Sequence, residues 1–238
     1  MNPFSFIPRP AKRWIRRKAG AITPLERLEN LRRAGFQPSR IIDAGAFQGE
    51  WTQEALSVFP EAQVLMIEPQ EDRRALLSAL ARRDPRITFS QALLGREASR
   101  VRFLLEGTNS RIISGTWDPP PGSRVEELEI MRLAELAQAA GFETCGLLKL
   151  DLQGHELEAL AGAGALFGRC EVIQTEVSWL RIGDAPLAGE VIQRFECAGY
   201  RLYDVFGHNF RPLDGALWQT DFIFVRTDSR LVANLSWA

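Results

Sequence analysis

The chain is poor in the residues that build metal and disulfide frameworks. It has three cysteines (Cys145, Cys170 and Cys197) and two histidines among 238 residues, with no C-x-x-C spacing. A zinc framework and a disulfide scaffold are therefore not expected, and three isolated thiols fit a reducing compartment. No apolar run approaches the ~20 residues that span a bilayer. Pro3, Pro8 and Pro10 interrupt the first ten residues, so they lack the apolar h-region of a signal peptide. The expected location is cytoplasmic. No basic stripe with interleaved aromatics runs through the chain, which argues against nucleic acid as a partner. Apolar residues make up 45% of the sequence, enough for one large α/β domain with a full core.

The net charge of −1 is unevenly spread. Residues 1–20 hold Arg9, Lys12, Arg13, Arg16, Arg17 and Lys18 and no acid, leaving −7 on the other 218 residues. The plain reading of 1–22 is a solvated basic leader. The sharper one is peripheral contact with anionic lipid or an acidic partner through residues 9–18, where Trp14 and Ile15 sit among the charges.

Beyond the leader, apolar runs alternate with helical patterns. Helices are expected from Thr23-Pro24 to about Ala34, Glu50 to Val58, Glu71 to Arg83, Arg132 to Ala140, from Glu156, and Leu187 to Ala198. Strands are expected at Arg40–Ala44, Gln63–Glu68, Arg86–Leu93, Leu147–Asp151, Val172–Val177, Tyr200–Phe206 and Thr220–Arg226. Such alternation predicts a parallel sheet covered on both faces. The segment 100–131 breaks the rhythm with two strand pieces around a loop containing Asn109, Ser110 and Pro119-Pro120-Pro121-Gly122. It reads as an insertion over the substrate side. The domain is expected over 23–228, followed by a tail at 229–238.

Two segments carry chemistry. In the first, Ile41-Ile42-Asp43-Ala44-Gly45-Ala46-Phe47-Gln48-Gly49 runs from a strand into a glycine turn, and Glu68 ends the next apolar run 25 positions after Asp43. A glycine turn followed by a spaced acid is how an α/β sheet holds an adenosine-containing cofactor, with the acid on the ribose. The turn is D-x-G-x-x-x-G rather than G-x-G-x-x-G, which favours S-adenosylmethionine over NAD; no Tyr-x-x-x-Lys pair appears either. Asp43 would order the turn and contact the methionine part of the cofactor. Gly45 and Gly49 would let the backbone approach it, and Gln91 would meet the adenine edge.

The second segment is Leu147-Leu148-Lys149-Leu150-Asp151-Leu152-Gln153-Gly154-His155-Glu156. Ligands of open α/β sheets bind beyond the carboxyl ends of the strands, so Asp43, Glu68, Asp151 and Glu176 should ring one crevice. His155 is a candidate general base, since a neutral imidazole takes protons near pH 7. Asp151 would orient that base, take the proton itself or hold a divalent metal. Glu156 points into the site or caps its helix. Glu176 would meet substrate hydroxyls or a metal, and His208, Asn109 and Ser110 are substrate candidates. Asp221 reads as a buried partner of a strand-end group. Asp151, Glu176 and His155 offer a donor set for Mg²⁺ or Mn²⁺, though nothing in the spacing requires a metal.

Together these segments and the end segment Trp218 to Arg226 resemble the FkbM-type S-adenosylmethionine-dependent methyltransferases, in the right order from about residue 25 to residue 227. The K-x-D-x-Q-G-x-E stretch is the specific part. The resemblance implies the class I methyltransferase fold: a Rossmann-like, seven-stranded, mostly parallel sheet with an antiparallel last strand and helices on both faces. It also implies O-methylation of a hydroxyl, commonly on a sugar or natural product, with a small-molecule or saccharide acceptor. The leader and the loop around 107–123 lie outside the matching stretches and would set the substrate. A non-catalytic cofactor-binding scaffold and an NAD-dependent oxidoreductase are the competing readings.

Overall fold

A computed structural model describes residues 23–115, 117–181, 184–233 and 236. The basic leader lies outside the described residues. The described chain opens on helix α1 (Pro24–Arg33). Thr23 Oγ1 accepts the Glu26 amide at 3.3 Å, and the Glu26 carboxylate accepts the Thr23 amide at 3.1 Å. This is a capping box with proline at the first helical turn, and it satisfies donors that would otherwise be orphaned.

The alternation then unfolds as β1 (Arg40–Ala44), α2 (Glu50–Val58), β2 (Gln63–Ile67), α3 (Glu71–Arg83) and β3 (Ile87–Ser90). After the short β4 (Leu93–Leu94) come β5 (Arg100–Leu104), β6 (Arg111–Ile112) and β7 (Val125–Met131). The series ends with α4 (Leu133–Ala139), β8 (Leu147–Leu150), α5 (Glu156–Gly162), β9 (Val172–Ser178), α6 (Ala188–Cys197), β10 (Tyr200–Phe210) and β11 (Leu217–Arg226).

Seven strands form one sheet in the order β10-β11-β9-β8-β1-β2-β3. All are parallel except β11, which runs antiparallel to both neighbours. This is the class I methyltransferase arrangement. Its strands are apolar on both faces, so alternate residues feed two separate cores. Ile42, Leu65, Leu148, Ile173 and Phe224 pack under α4, α5 and α6. Ile41, Val64, Leu147, Val172 and Ile223 pack under α1, α2 and α3.

Four segments depart from the sequence reading. The run expected as one strand over 86–93 breaks after Ser90, and Leu93–Leu94 leaves the main sheet to pair with β7. The insertion is itself a sheet, in the order β4-β7-β5-β6, with Leu93, Phe103 and Ile130 as its core. It has too little apolar surface to stand alone and shares β4 with the chain leaving β3. Strand β10 runs on to Phe210 rather than stopping at 206, because its antiparallel partner β11 starts three residues early at Leu217. The segment expected as a tail also begins with packing: Leu231 and Val232 lie against the core, and the Ser229 hydroxyl donates to Glu171 at 2.6 Å.

At Gly45 the turn after β1 has φ +83°, and a Cβ there would stand 2.0 Å from the Asp151 carbonyl oxygen. Both the dihedral and the contact require glycine. Gly45→Ala should lower the unfolding free energy by about 3 kcal/mol or more, from left-handed strain plus displacement of the 151–155 loop. Urea denaturation checks this, and an unchanged midpoint would mean the turn has room to move.

Candidate active site

The carboxyl ends of β1, β2, β8 and β9 and the amino end of the antiparallel β11 surround a cavity of about 510 Å³. At one end stands Glu68, immediately after β2. It is buried, yet it lines the cavity. Its Oε2 accepts the Phe47 amide at 2.9 Å and its Oε1 accepts the Gln70 amide at 3.1 Å. Phe47 reaches this position through a left-handed φ of 46°, with its ring under the Arg73 guanidinium at 4.4 Å. Burial raises the Glu68 pKa from its ordinary value, and the two backbone donors pull against that rise. Gln70 ties this wall to the insertion: its Nε2 donates to the Gly107 carbonyl at 3.3 Å, and the Ser110 hydroxyl lies 3.1 Å from its Oε1. Asn109 and Ser110 thus line the Glu68 end of the cavity.

The floor is a buried charge. Lys149 sits in β8, a strand buried at all four positions, opposite Asp43 in the register with β1. Its Nζ donates to the Gly45 carbonyl at 2.9 Å and lies 3.3 Å from both Asp43 Oδ1 and Asp151 Oδ2. Burial by itself would lower the ammonium pKa, but the charges of Asp151 and Asp43 outweigh it, and the net shift is upward. Asp43 is fully buried and accepts the Thr52 hydroxyl at 2.7 Å. It lies behind the glycine turn, and Lys149 rather than Asp43 borders the cavity.

The other end is acidic. Gln153, at φ 53°, donates through Nε2 to Asp151 Oδ1 and Glu176 Oε2, both at 3.1 Å. Gln219 Nε2 donates to the same Glu176 oxygen at 2.7 Å. Asp221 stands opposite Glu176 in the β9–β11 register and accepts from Gln174 Nε2 at 3.2 Å, while Gln174 Oε1 accepts the Trp51 indole N–H at 3.2 Å. Burial, then the charges of Asp151, Glu156 and Asp221, push the Glu176 carboxyl up to about 9. Asp221 rises to about 6, through burial first and then Asp151. His155 borders the cavity, and burial lowers its pKa against the opposing pull of Glu158, so the ring is neutral at neutral pH.

Several candidates fall elsewhere. Glu156 turns away from the cavity; its Oε1 accepts the Leu152 and Gly154 amides at 2.8 and 3.1 Å, pinning the loop between β8 and α5. Burial raises its pKa to about 7. Gly49 does not line the cavity either. Its φ of +73° starts α2, and a Cβ there would meet Leu80 Cδ1 at 2.7 Å, so it serves the packing of α3. Gln91 is exposed and donates to Glu71 Oε2 at 2.7 Å. His208 is an exposed residue of β10 rather than of a loop, and its neighbour Asn209 lines the cavity instead. Among the described residues no group of three or more His, Cys, Asp or Glu side chains is gathered to hold a metal ion.

Residues 43–202 match the family described as the Methyltransferase FkbM domain. The chain belongs to the FkbM methyltransferase domain family. The match begins at Asp43 and contains every cavity-lining carboxylate named above except Asp221. A search of curated proteins finds no match. Solved structures similar to this FkbM domain include precorrin-6y C5,15-methyltransferase from Geobacter metallireducens GS-15, with a TM-score of 0.46 and 10% identity over 87% of this chain and 92% of that one. Another is the Burkholderia thailandensis 1,6-didemethyltoxoflavin-N1-methyltransferase, with bound 1,6-didemethyltoxoflavin and S-adenosylhomocysteine, at 0.46 and 15% over 86% and 78%. The bifunctional kinase-methyltransferase WbdD matches at 0.46 and 19% over 85% and 38%.

The sequence reading gave no role to Lys149, Gln70, Gln153, Gln174 or Gln219. A signal for Lys149 was present, since a lysine inside Leu147-Leu148-Lys149-Leu150 has no solvent to face and needs a buried acid. The glutamines give no such signal, being ordinary surface residues until the fold encloses them.

The raised carboxyls make the FkbM domain pH-sensitive. An acid whose folded pKa exceeds its unfolded value binds its proton more tightly in the folded state. Stability is then fullest below about pH 4 and is lost as pH climbs to the folded values, here about 6, 7 and 9 for Asp221, Glu156 and Glu176. The melting temperature should fall from pH 5 to pH 9, each proton contributing at most about 1.4 kcal/mol per pH unit. Glu176→Gln should flatten the decline between pH 7 and 9. A wild-type curve already flat there would mean that Glu176 is ionised throughout.

Proposed function

We propose that this FkbM domain is an S-adenosylmethionine-dependent O-methyltransferase that acts on a hydroxyl of a saccharide or secondary metabolite. The observation that carries the reading is Glu68, a buried carboxylate whose two oxygens each accept a single backbone N–H at the wall of a ligand-sized cavity. Each oxygen keeps a lone pair, which suits the paired hydroxyls of a ribose. Gln70, Asn109 and Ser110 would close over the same end, and the Gly45 turn, held by Lys149, would border the methionine part. When bound, the cofactor supplies an electrophilic methyl group on a sulfonium sulfur.

The acidic end suits a hydroxyl-bearing acceptor. Glu176 keeps its proton at neutral pH and is a hydrogen-bond donor there, while Gln153, Gln219 and Asn209 offer neutral donors and acceptors. Neutral His155 takes the proton of the acceptor hydroxyl at a ring nitrogen. The charge of Glu158 favours the imidazolium that results, and Asp151, held by Lys149 and Gln153, borders the same cavity. Orienting the acceptor oxygen is the main contribution of these side chains, because displacement at a methyl group demands in-line approach.

Calorimetric titration tests the cofactor. S-adenosylhomocysteine should bind and NAD should not, and Glu68→Ala should weaken the first by about 10- to 100-fold, the worth of hydrogen bonds to a charged group. NAD binding, or affinity untouched by the substitution, would remove the proposal. His155→Ala should lower methyl transfer about 10²- to 10⁴-fold at unchanged S-adenosylhomocysteine affinity. Full turnover in that variant would assign the proton to Asp151.

A further inference from the structure

A second cavity, of about 560 Å³, adjoins the first. The two share Ile112, Gln153 and His155, so they meet at the proposed base. The second is built from the insertion on one side and from α5 and the segment before α6 on the other. Its most distinctive wall is Trp117, an indole left 44% exposed. The Arg111 guanidinium lies 5.1 Å from the ring centroid. That guanidinium is itself tethered, donating through Nη1 to Glu106 Oε2 and to the Asn109 carbonyl, both at 3.1 Å. The indole thus keeps part of its surface open in a cavity that Arg111 also lines, a rigid apolar plate beside polar groups.

Those polar groups are Ser114, Gln153 and Asp184. The loop that carries Trp117 comes close to Asp184: a Cβ on Gly115 would lie 3.2 Å from its Oδ2. The charges decide what the cleft admits. Arg111 is neutralised by Glu106, and Glu158 by Arg96 at 2.9 Å. Asp184 has no ion-pair partner among the described residues, and His155 is neutral, so the cleft carries a residual negative charge that disfavours an anionic ligand.

We propose that this second cavity extends the acceptor site outward from the acidic end of the first, and that it holds an uncharged pyranose ring with its C–H face on Trp117 and its hydroxyls toward Asp184, Ser114 and Gln153. The assignment rests on the methyl-transfer reading and deepens it. The ring stacked on Trp117 presents one hydroxyl at the junction of the cavities, beside His155. Ser114 and Trp117 of the insertion thereby select the acceptor, while its Asn109 and Ser110 close over the cofactor end. Asn109 and Ser110, candidates for the substrate by their place in the sequence, belong to the other cavity.

Saturation-transfer NMR tests this with methyl α-glucopyranoside, methyl α-mannopyranoside, methyl α-rhamnopyranoside and an anionic methyl glucuronoside, in the presence of S-adenosylhomocysteine. Calorimetry with S-adenosylhomocysteine alone runs in parallel. At least one uncharged pyranoside should receive saturation at its ring protons. The signal should be lost in Trp117→Ala and kept in Trp117→Phe, with S-adenosylhomocysteine affinity the same in all three proteins. Equal signal in Trp117→Ala, or preference for the glucuronoside, would overturn the assignment. Absence of saturation for every pyranoside while S-adenosylhomocysteine binds would overturn the saccharide cleft and leave the methyl-transfer reading standing. Failure of S-adenosylhomocysteine itself to bind would remove both.

Discussion

The site depends on one buried cation. Lys149 enters the middle of the sheet from β8, where its neighbours in the strand are leucines, and is paired with Asp43 on β1 and Asp151 beyond the strand end. A charge buried this way is tolerable only when it is paired and hydrogen-bonded. Its hydrogen bond to the Gly45 carbonyl meets the second need. Asp43 Oδ1 has no aligned hydrogen-bond donor among the described residues and is met by the Lys149 ammonium at 3.3 Å, while Thr52 donates to the other oxygen. The glycine turn and the 151–155 loop are thus anchored to the same ammonium, one by a carbonyl and the other by a carboxylate.

From that anchor the cavity divides into two chemical environments. Toward β2, Glu68 is held by backbone amides, and the insertion closes over it through Gln70 and Ser110. Toward β9 and β11, carboxyls crowd together, and burial with mutual repulsion keeps protons on Glu176. The antiparallel insertion of β11 between β9 and β10 creates this second environment, because it delivers Asp221 and Gln219 directly beside Glu176 and Ser178 in the register. A wholly parallel sheet would end its strands together and would not bring an internal strand residue such as Asp221 to the rim.

Much of the fold was legible in the residues. Apolar runs of strand length, glycine turns and the Thr23-Pro24 cap are local signals, and each marks an element that is present at nearly the expected bounds. The acids near strand ends were also legible, and Glu68, Asp151 and Glu176 do border one cavity. What misled was direction. Asp43 and Glu156 end or follow strands just as those three do, yet one faces a lysine and a threonine in the core and the other turns back onto amides of its own loop. Gly49 reads as a cofactor glycine beside Gly45, but its missing side chain makes room for Leu80.

The sequence by itself determined the alternation of strands and helices, the glycine turn and the presence of acids at strand ends, because these depend on periodicity and on backbone freedom within a few residues. Only the tertiary structure decided which acids see the cavity and which keep their protons. It also decided that an insertion sheet, a tryptophan and an aspartate some 67 positions apart in the chain wall a second cleft. The physical reason is range. Side-chain direction beyond a strand end and the shift of a buried carboxyl follow from neighbours such as Trp51 and Gln174, 123 positions apart, which no local pattern brings together.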